Sequence, residues 1–268
     1  MLCFSDLRFP TNSQLPSTPH RTGRMPALTS LRQLCLCAVF MSIACVALPQ
    51  SLTEPVCGLR GATSDLGNEA KQFGVGLKHL PRAMVRPANL AWELPIGAAT
   101  GVLIAEVDRP AADRIQSRDL INTASTWSNV GLGAEVGTSA LMWGLGCHAH
   151  SRGVSRAGFA TLSAMGAAGA VDLALKLSFN RQFPFTPNST GQFWGGGRSF
   201  PSGHSATSFA FAAAIAHYYP HNRWVKWSAY ALATGVALSR YPAKKHYLSD
   251  ILAGATIGYV TGSYVVNH

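Results

Sequence analysis

The sequence predicts an all-α protein, an antiparallel bundle of about six core helices with an active site at one end. Three observations carry this expectation. Apolar segments of helical length recur between residues 88 and 266, while the alternation that marks strands is scarce. Pro- and Gly-containing stretches separate those segments. Only 13% of the 268 residues are charged and 47% are hydrophobic, with 26 glycines. That is about half the roughly 25% charge of an ordinary soluble domain. It fits a membrane protein or a compact Ala/Gly-rich helical one.

Taken in order, residues 1–30 are polar and rich in Pro, Ser and Thr, the composition of a disordered tail. Arg32 and the apolar run Leu34 to Leu48 read as a signal peptide, with Met25 as a candidate start. Ala44 and Ala47 lie near a plausible cleavage point. An uncleaved anchor is the alternative, although the run falls short of the roughly 20 residues a span requires. We therefore divide the chain into a tail plus signal peptide or anchor (1–51), an N-terminal extension (52–87) and a helical domain (88–268). Asn68 to Leu80 has the pattern of a short amphipathic helix, closed by Pro81 and Pro87.

The expected core helices are Ala88 to Val107 (interrupted by Pro95), Gly131 to Ala149, Ala157 to Phe179, Ser205 to Tyr219, Trp224 to Ser239 and Leu248 to Val266. Glu135 and Asp172 sit inside two of them. Carboxylates there are costly in lipid unless they face a protein interior. Four of the six cysteines precede residue 52, which leaves Cys57 and Cys147. Export would permit a disulfide between them. Two unrelated thiols are the other reading.

The net charge is +10, which suits an anionic membrane surface or an anionic small substrate. Lys and Arg are dispersed rather than clustered, which argues against nucleic acid as a partner. His148 and His150 lack further ligands at metal-binding spacing and read as a solvated basic turn, so no metal site is expected.

The chemistry concentrates in three pieces. Lys176 and Arg181 close one helix before Pro184. Pro201-Ser202-Gly203-His204 opens the next, where free amides and the helix dipole favour an anion. Ser239, Arg240, His246 and Asp250 bridge the last two helices. Asp250 lies one turn beyond His246, where its carboxylate can accept the imidazole Nδ1–H and leave Nε2 free as a nucleophile. Taken alone, the Pro201 to His204 stretch is equally a capped helix with an incidental histidine. Helix parity brings all three pieces to one end of the bundle. The combination suits a tetrahedral oxyanion.

These residues resemble the type 2 phosphatidic acid phosphatase superfamily, which also contains bacterial class A acid phosphatases and vanadium haloperoxidases. The family pattern is Lys, six residues, Arg-Pro; then Pro-Ser-Gly-His; then Ser-Arg, five residues, His, three residues, Asp. The second block is complete at Pro201 to His204, and the third at Ser239, Arg240, His246 and Asp250. The first departs: Lys176 and Pro184 are in place, but Phe183 stands at the Arg position, and Arg181 is the candidate replacement.

The resemblance implies a phosphatase working through a phosphohistidine intermediate. His246 would be the nucleophile, Asp250 its orienting group and His204 the general acid and base. Lys176, Arg181, Ser202, Gly203 and Arg240 would hold the phosphoryl oxygens. Phe183, Phe185, Trp194 and Phe200 are candidate pocket walls. No cofactor is implied for a phosphatase; vanadate belongs only to the haloperoxidase alternative. A non-catalytic envelope phosphate-binding protein is the other alternative. The expected substrate is a lipid phosphate or a small phosphate ester. The expected location is the cell envelope, membrane-associated with the site facing the periplasm, a soluble periplasmic enzyme being the alternative. Oligomeric state is left open.

Overall fold

The computed structural model describes Cys57 and residues 87–267. The expected leader, candidate start and short helix at Asn68 to Leu80 lie outside the described residues. Within them all the regular structure is helical, with no strand. Helix α1 covers Pro87–Val102 and passes through a π-helical turn, Leu103–Val107, into the short helix α2, Asp108–Asp113. The bundle then runs through α3 (Arg118–His148), α4 (Arg152–Phe179), α5 (Gly203–Tyr218), α6 (Arg223–Ser239) and α7 (Leu248–Asn267).

Local signals set most ends. Ser117 caps α3 by accepting from the Leu120 amide at 3.3 Å, and Asn222 caps α6 through the Val225 amide at 3.2 Å. Asn180 ends α4 in the left-handed conformation, φ 44°, where asparagine is tolerated. Two expectations fail at the start of the chain. Pro95 does not interrupt α1, which continues through it. Helix α3 also begins thirteen residues before Gly131, because a Ser117 cap and a polar first half carry no apolar stripe to read.

The Ala/Gly-rich composition has a packing purpose. Ala160, Ala164 and Ala168 of α4 meet Ala206, Ala210 and Ala214 of α5 in one buried cluster. On the other side of α5, Gly254, Gly258 and Gly262 of α7 follow its backbone at four-residue spacing. A Cβ at Gly258 would lie 2.0 Å from the Ala206 carbonyl oxygen. Backbones this close leave little freedom to slide, so the register of α5 on α7 is fixed. It places Asp250 beside Ser202, whose amide donates to the Asp250 carbonyl at 2.9 Å. Cys57 and Cys147 form a disulfide, with Cα atoms 5.7 Å apart.

Candidate active site

The three sequence blocks converge at one end of the bundle, where α4 ends, α5 begins, α6 ends and α7 begins. Ser202 is the N-cap of α5, and Arg240 is the C-cap of α6. The Phe200–Pro201 peptide bond is cis, and Pro201 lies before the N-cap Ser202 rather than in the first turn.

His246 is buried beside Asp250. Its Nδ1 lies 2.6 Å from the Ser199 carbonyl oxygen and 3.7 Å from Asp250 Oδ2. A carbonyl only accepts, so Nδ1 carries the proton and Nε2 carries the lone pair. Asp250 was expected to receive that proton, and here the structure corrects the expectation. Its carboxylate instead accepts from the Ser199 hydroxyl at 2.5 Å and the Tyr247 amide at 2.9 Å. Asp250 thus fixes Ser199, whose carbonyl holds the imidazole, and its charge acts on the ring from a short distance. Burial also lowers the His246 pKa and keeps the ring neutral.

Arg181 supplies the second correction. It was expected among the phosphoryl ligands, but it is only 1% exposed and its donors face inward. Nη1 donates to Asp250 Oδ1 at 2.5 Å and Ser249 Oγ at 2.7 Å, Nη2 to Asp108 Oδ2 at 2.8 Å, and Nε to the Gly191 carbonyl at 3.1 Å. The guanidinium carbon sits 4.8 Å from the Phe193 ring centroid and 4.3 Å from that of Tyr247, which fixes its plane. Burial raises the Asp250 pKa, but the Arg181 charge and its hydrogen bonds outweigh this and hold it below the ordinary carboxylate range. Arg181 therefore stands behind the nucleophile and does not replace the charge absent at Phe183. The reason is local: Asn180 turns the chain sharply, and Arg181 follows inside the turn.

The remaining groups lie around His246. His204 Nε2 is 3.0 Å from Asn129 Oδ1 of α3. Burial, then the electrostatic influence of Arg240, His246 and Lys176, lowers its pKa to about 3, so the ring is neutral. Arg240 donates to Ser128 Oγ at 2.7 Å, and its buried Nε has no partner among the described residues. Burial lowers its pKa to about 10, which leaves it charged at neutral pH. Lys176 Nζ contacts both Asp172 oxygens, at 2.6 and 2.7 Å, and the Pro201 carbonyl. Gly203 opens α5 against this pair: a Cβ there would come 2.8 Å from Asp172 Oδ2. Ser202 is fully buried, and its Oγ accepts from the Ser205 hydroxyl at 2.9 Å and caps the Ser205 amide. It serves the helix cap and is not presented as an open ligand.

The expected walls divide. Phe183 stacks on Phe185 with centroids 4.9 Å apart, and its ring lies 6.3 Å from His246, so these two border the nucleophile. Phe200 is instead core, packed with Phe179 and Phe193, and Trp194 covers that cluster with its indole N–H on the Ser178 carbonyl. Sequence reading missed Asp108, Ser128, Asn129, Ser199 and Ser249. Only Asp108 left a signal, an isolated carboxylate at the end of an apolar segment. The π-helical turn before it brings Asp108 onto both Arg181 and the Ser249 amide. Among the described residues no group of three His, Cys, Asp or Glu could hold a metal ion.

The sequence model of the PAP2 superfamily matches residues 157–267. A lipid A 1-phosphatase of Porphyromonas gingivalis is 28% identical over 225 residues, covering 81% of this chain and 46% of its own length. The chain thus spans less than half of that relative. Two solved structures are similar at TM-score 0.46. Aquifex aeolicus LpxE is 19% identical, with 60% of this chain and 92% of that one covered. A transmembrane PAP2-type phosphatidylglycerolphosphate phosphatase from Bacillus subtilis is 21% identical, with 64% and 92% covered. Residues 157–267, which carry the last two blocks complete and gathered at one end of a helical bundle, match the PAP2 superfamily.

Proposed function

We propose that the protein is a phosphatase that hydrolyses phosphate monoesters of lipids through a phosphohistidine on His246. The observation that carries this reading is the Nδ1 contact of His246 with the Ser199 carbonyl, which leaves Nε2 as a lone-pair nucleophile. In the first step Nε2 bonds to phosphorus and the bond to the leaving oxygen breaks. His204 gives that oxygen a proton, then takes one from the water that cleaves the P–N bond. The empty site holds His204 neutral through burial and three cationic or ring neighbours. A phosphoryl dianion offsets those neighbours and raises the basicity of His204 when it is needed. Lys176, Arg240 and the first amides of α5 bind the phosphoryl oxygens.

A lipid substrate is favoured by the surface beside the site. A cavity of about 660 Å³ between α3 and α6 is lined by Leu120, Trp127, Val130, Leu232 and Val236 and reaches Ser239, next to Arg240. It suits an acyl chain whose phosphate lies at His246. The Porphyromonas gingivalis relative, a lipid A 1-phosphatase, supports the same substrate class. We place the enzyme on the exported side of a membrane, at its surface. The disulfide calls for an oxidising compartment, and it lies at the end of α3 away from the site. Trp127 and Val130, 68% and 58% exposed at the mouth of this cavity, offer an apolar face to the membrane.

Hydrolysis of p-nitrophenyl phosphate and of a long-chain lipid phosphate by the wild type and His246→Ala tests this. We expect both substrates to turn over, the lipid with the higher kcat/KM, and both rates to fall by several orders of magnitude in the variant. Equal rates in the two proteins, or no turnover of either substrate, would remove the assignment.

A further inference from the structure

The phosphoryl site contains an anion of its own. Asp172 lies one helical turn before Lys176 and takes its ammonium group on both carboxylate oxygens, at 2.6 and 2.7 Å. The third direction is taken by the Pro201 carbonyl. An ammonium group has three donors, so all of Lys176 is engaged before any substrate arrives. Asp172 is also close to the start of α5, where a Cβ on Gly203 would meet its Oδ2. The carboxylate therefore occupies the cationic corner that a phosphoryl oxygen would need.

The charges around it balance. Lys176, Arg181 and Arg240 are the cations, and Asp108, Asp172 and Asp250 are the carboxylates. His246 is next to Asp250 at the start of α7, His204 stands on α5, and α3 contributes only the uncharged Ser128 and Asn129. Both histidines are neutral. This inner set carries no net positive charge while Asp172 is ionised, and Lys245, over the Phe185 ring at 4.9 Å, adds a cation only beyond the aromatic wall. Asp108 and Asp250 share the fixed charge of Arg181 behind the nucleophile, so Asp172 is the carboxylate whose protonation would free a cation of the pocket.

We propose that Asp172 is a positioning residue that takes up a proton when an anion fills the pocket, releasing Lys176 to the incoming oxygen. Lys176 keeps its charge, the proton comes from solvent, and no bond other than O–H forms on Asp172. Burial already raises the Asp172 pKa, Lys176 opposing, so protonation is within reach. The empty pocket in turn holds the lysine in one place. This rests on reading the pocket as a phosphate site.

Sulfate is the probe, because it keeps its charge across the accessible pH range. Calorimetric titration of the wild type at about pH 7.5, in buffers of different ionisation enthalpy, counts the protons taken up. We expect close to one per sulfate bound. In Asp172→Asn we expect about one proton fewer per sulfate than in the wild type, with sulfate bound about tenfold more tightly, the equivalent of one pKa unit; equal uptake by the two proteins would place the proton on His204 and overturn the proposal. The two proteins should converge as the pH falls. Sulfate binding without proton uptake in the wild type would overturn the proposal, with no variant needed. Weaker binding by Asp172→Asn at every pH would also overturn it, because Asp172 would then serve only to keep Lys176 charged. Failure of both sulfate and inorganic phosphate to bind at any pH would instead remove the phosphate site itself.

Discussion

Arg181 shows how far a residue's role departs from its sequence spacing. Its position beside Phe183 suggested a phosphoryl ligand, yet its guanidinium is locked between Asp108, Asp250 and two aromatic rings. Arg181→Lys keeps the charge but loses the fork that aligns Asp250. We expect kcat on p-nitrophenyl phosphate to fall about 100-fold, the order of cost for a small misplacement of a reacting group. KM should change little, because Arg181 does not touch the phosphoryl group. A raised KM at unchanged kcat would return Arg181 to the pocket. At this scale the identities of His204, Arg240, His246 and Asp250 were legible, since the motif spacing survives in the chain. The Ser199 carbonyl was not, because a backbone acceptor has no sequence signature.

Buried Glu135 sets the behaviour of the central helices. It is 0% exposed in α3, where it accepts from Ser208 Oγ of α5 at 2.6 Å, and its other oxygen is unpaired. Burial raises its pKa from 4.5 to about 7. The unfolded chain thus loses this proton at lower pH than the folded one. Stability falls as pH rises through that window and levels off above it. Glu135→Gln removes the titration. We expect thermal unfolding at about pH 8 to show the variant more stable than the wild type by up to about 3 kcal/mol. The gap should close towards about pH 5. A pH-independent difference would show that Glu135 does not titrate between the two states. The sequence made the helices legible through their apolar length, and it flagged Glu135 and Asp172 as interior carboxylates. It did not reveal the close packing of Gly258 on Ala206, since glycine spacing becomes meaningful only once the facing helix is known. Asp108–Asp113 was missed because six polar-rich residues carry no helical period.

For the whole molecule, the placement of the site follows from parity: four helix ends meet and bring the three blocks together. The membrane relation does not follow from composition. One described helix, α4, is long and apolar enough to cross a membrane, yet 61% of its apolar window is buried against its neighbours. Core helices show the same burial. With the disulfide at the far end of the bundle, we expect carbonate extraction of an envelope fraction to release the protein. Retention in the pellet would show that the bundle is integral.

The central claim is that His246 carries the phosphoryl group. p-Nitrophenolate leaves without help from an acid, so His204→Ala should still form the phosphoenzyme but hydrolyse it slowly. Rapid alkaline quench of that variant with p-nitrophenyl phosphate, followed by peptide mass spectrometry, reads the site directly. The account predicts phosphate on His246, and none in His204→Ala/His246→Ala. Phosphate on another residue, or turnover with no phosphorylated His246, would contradict it.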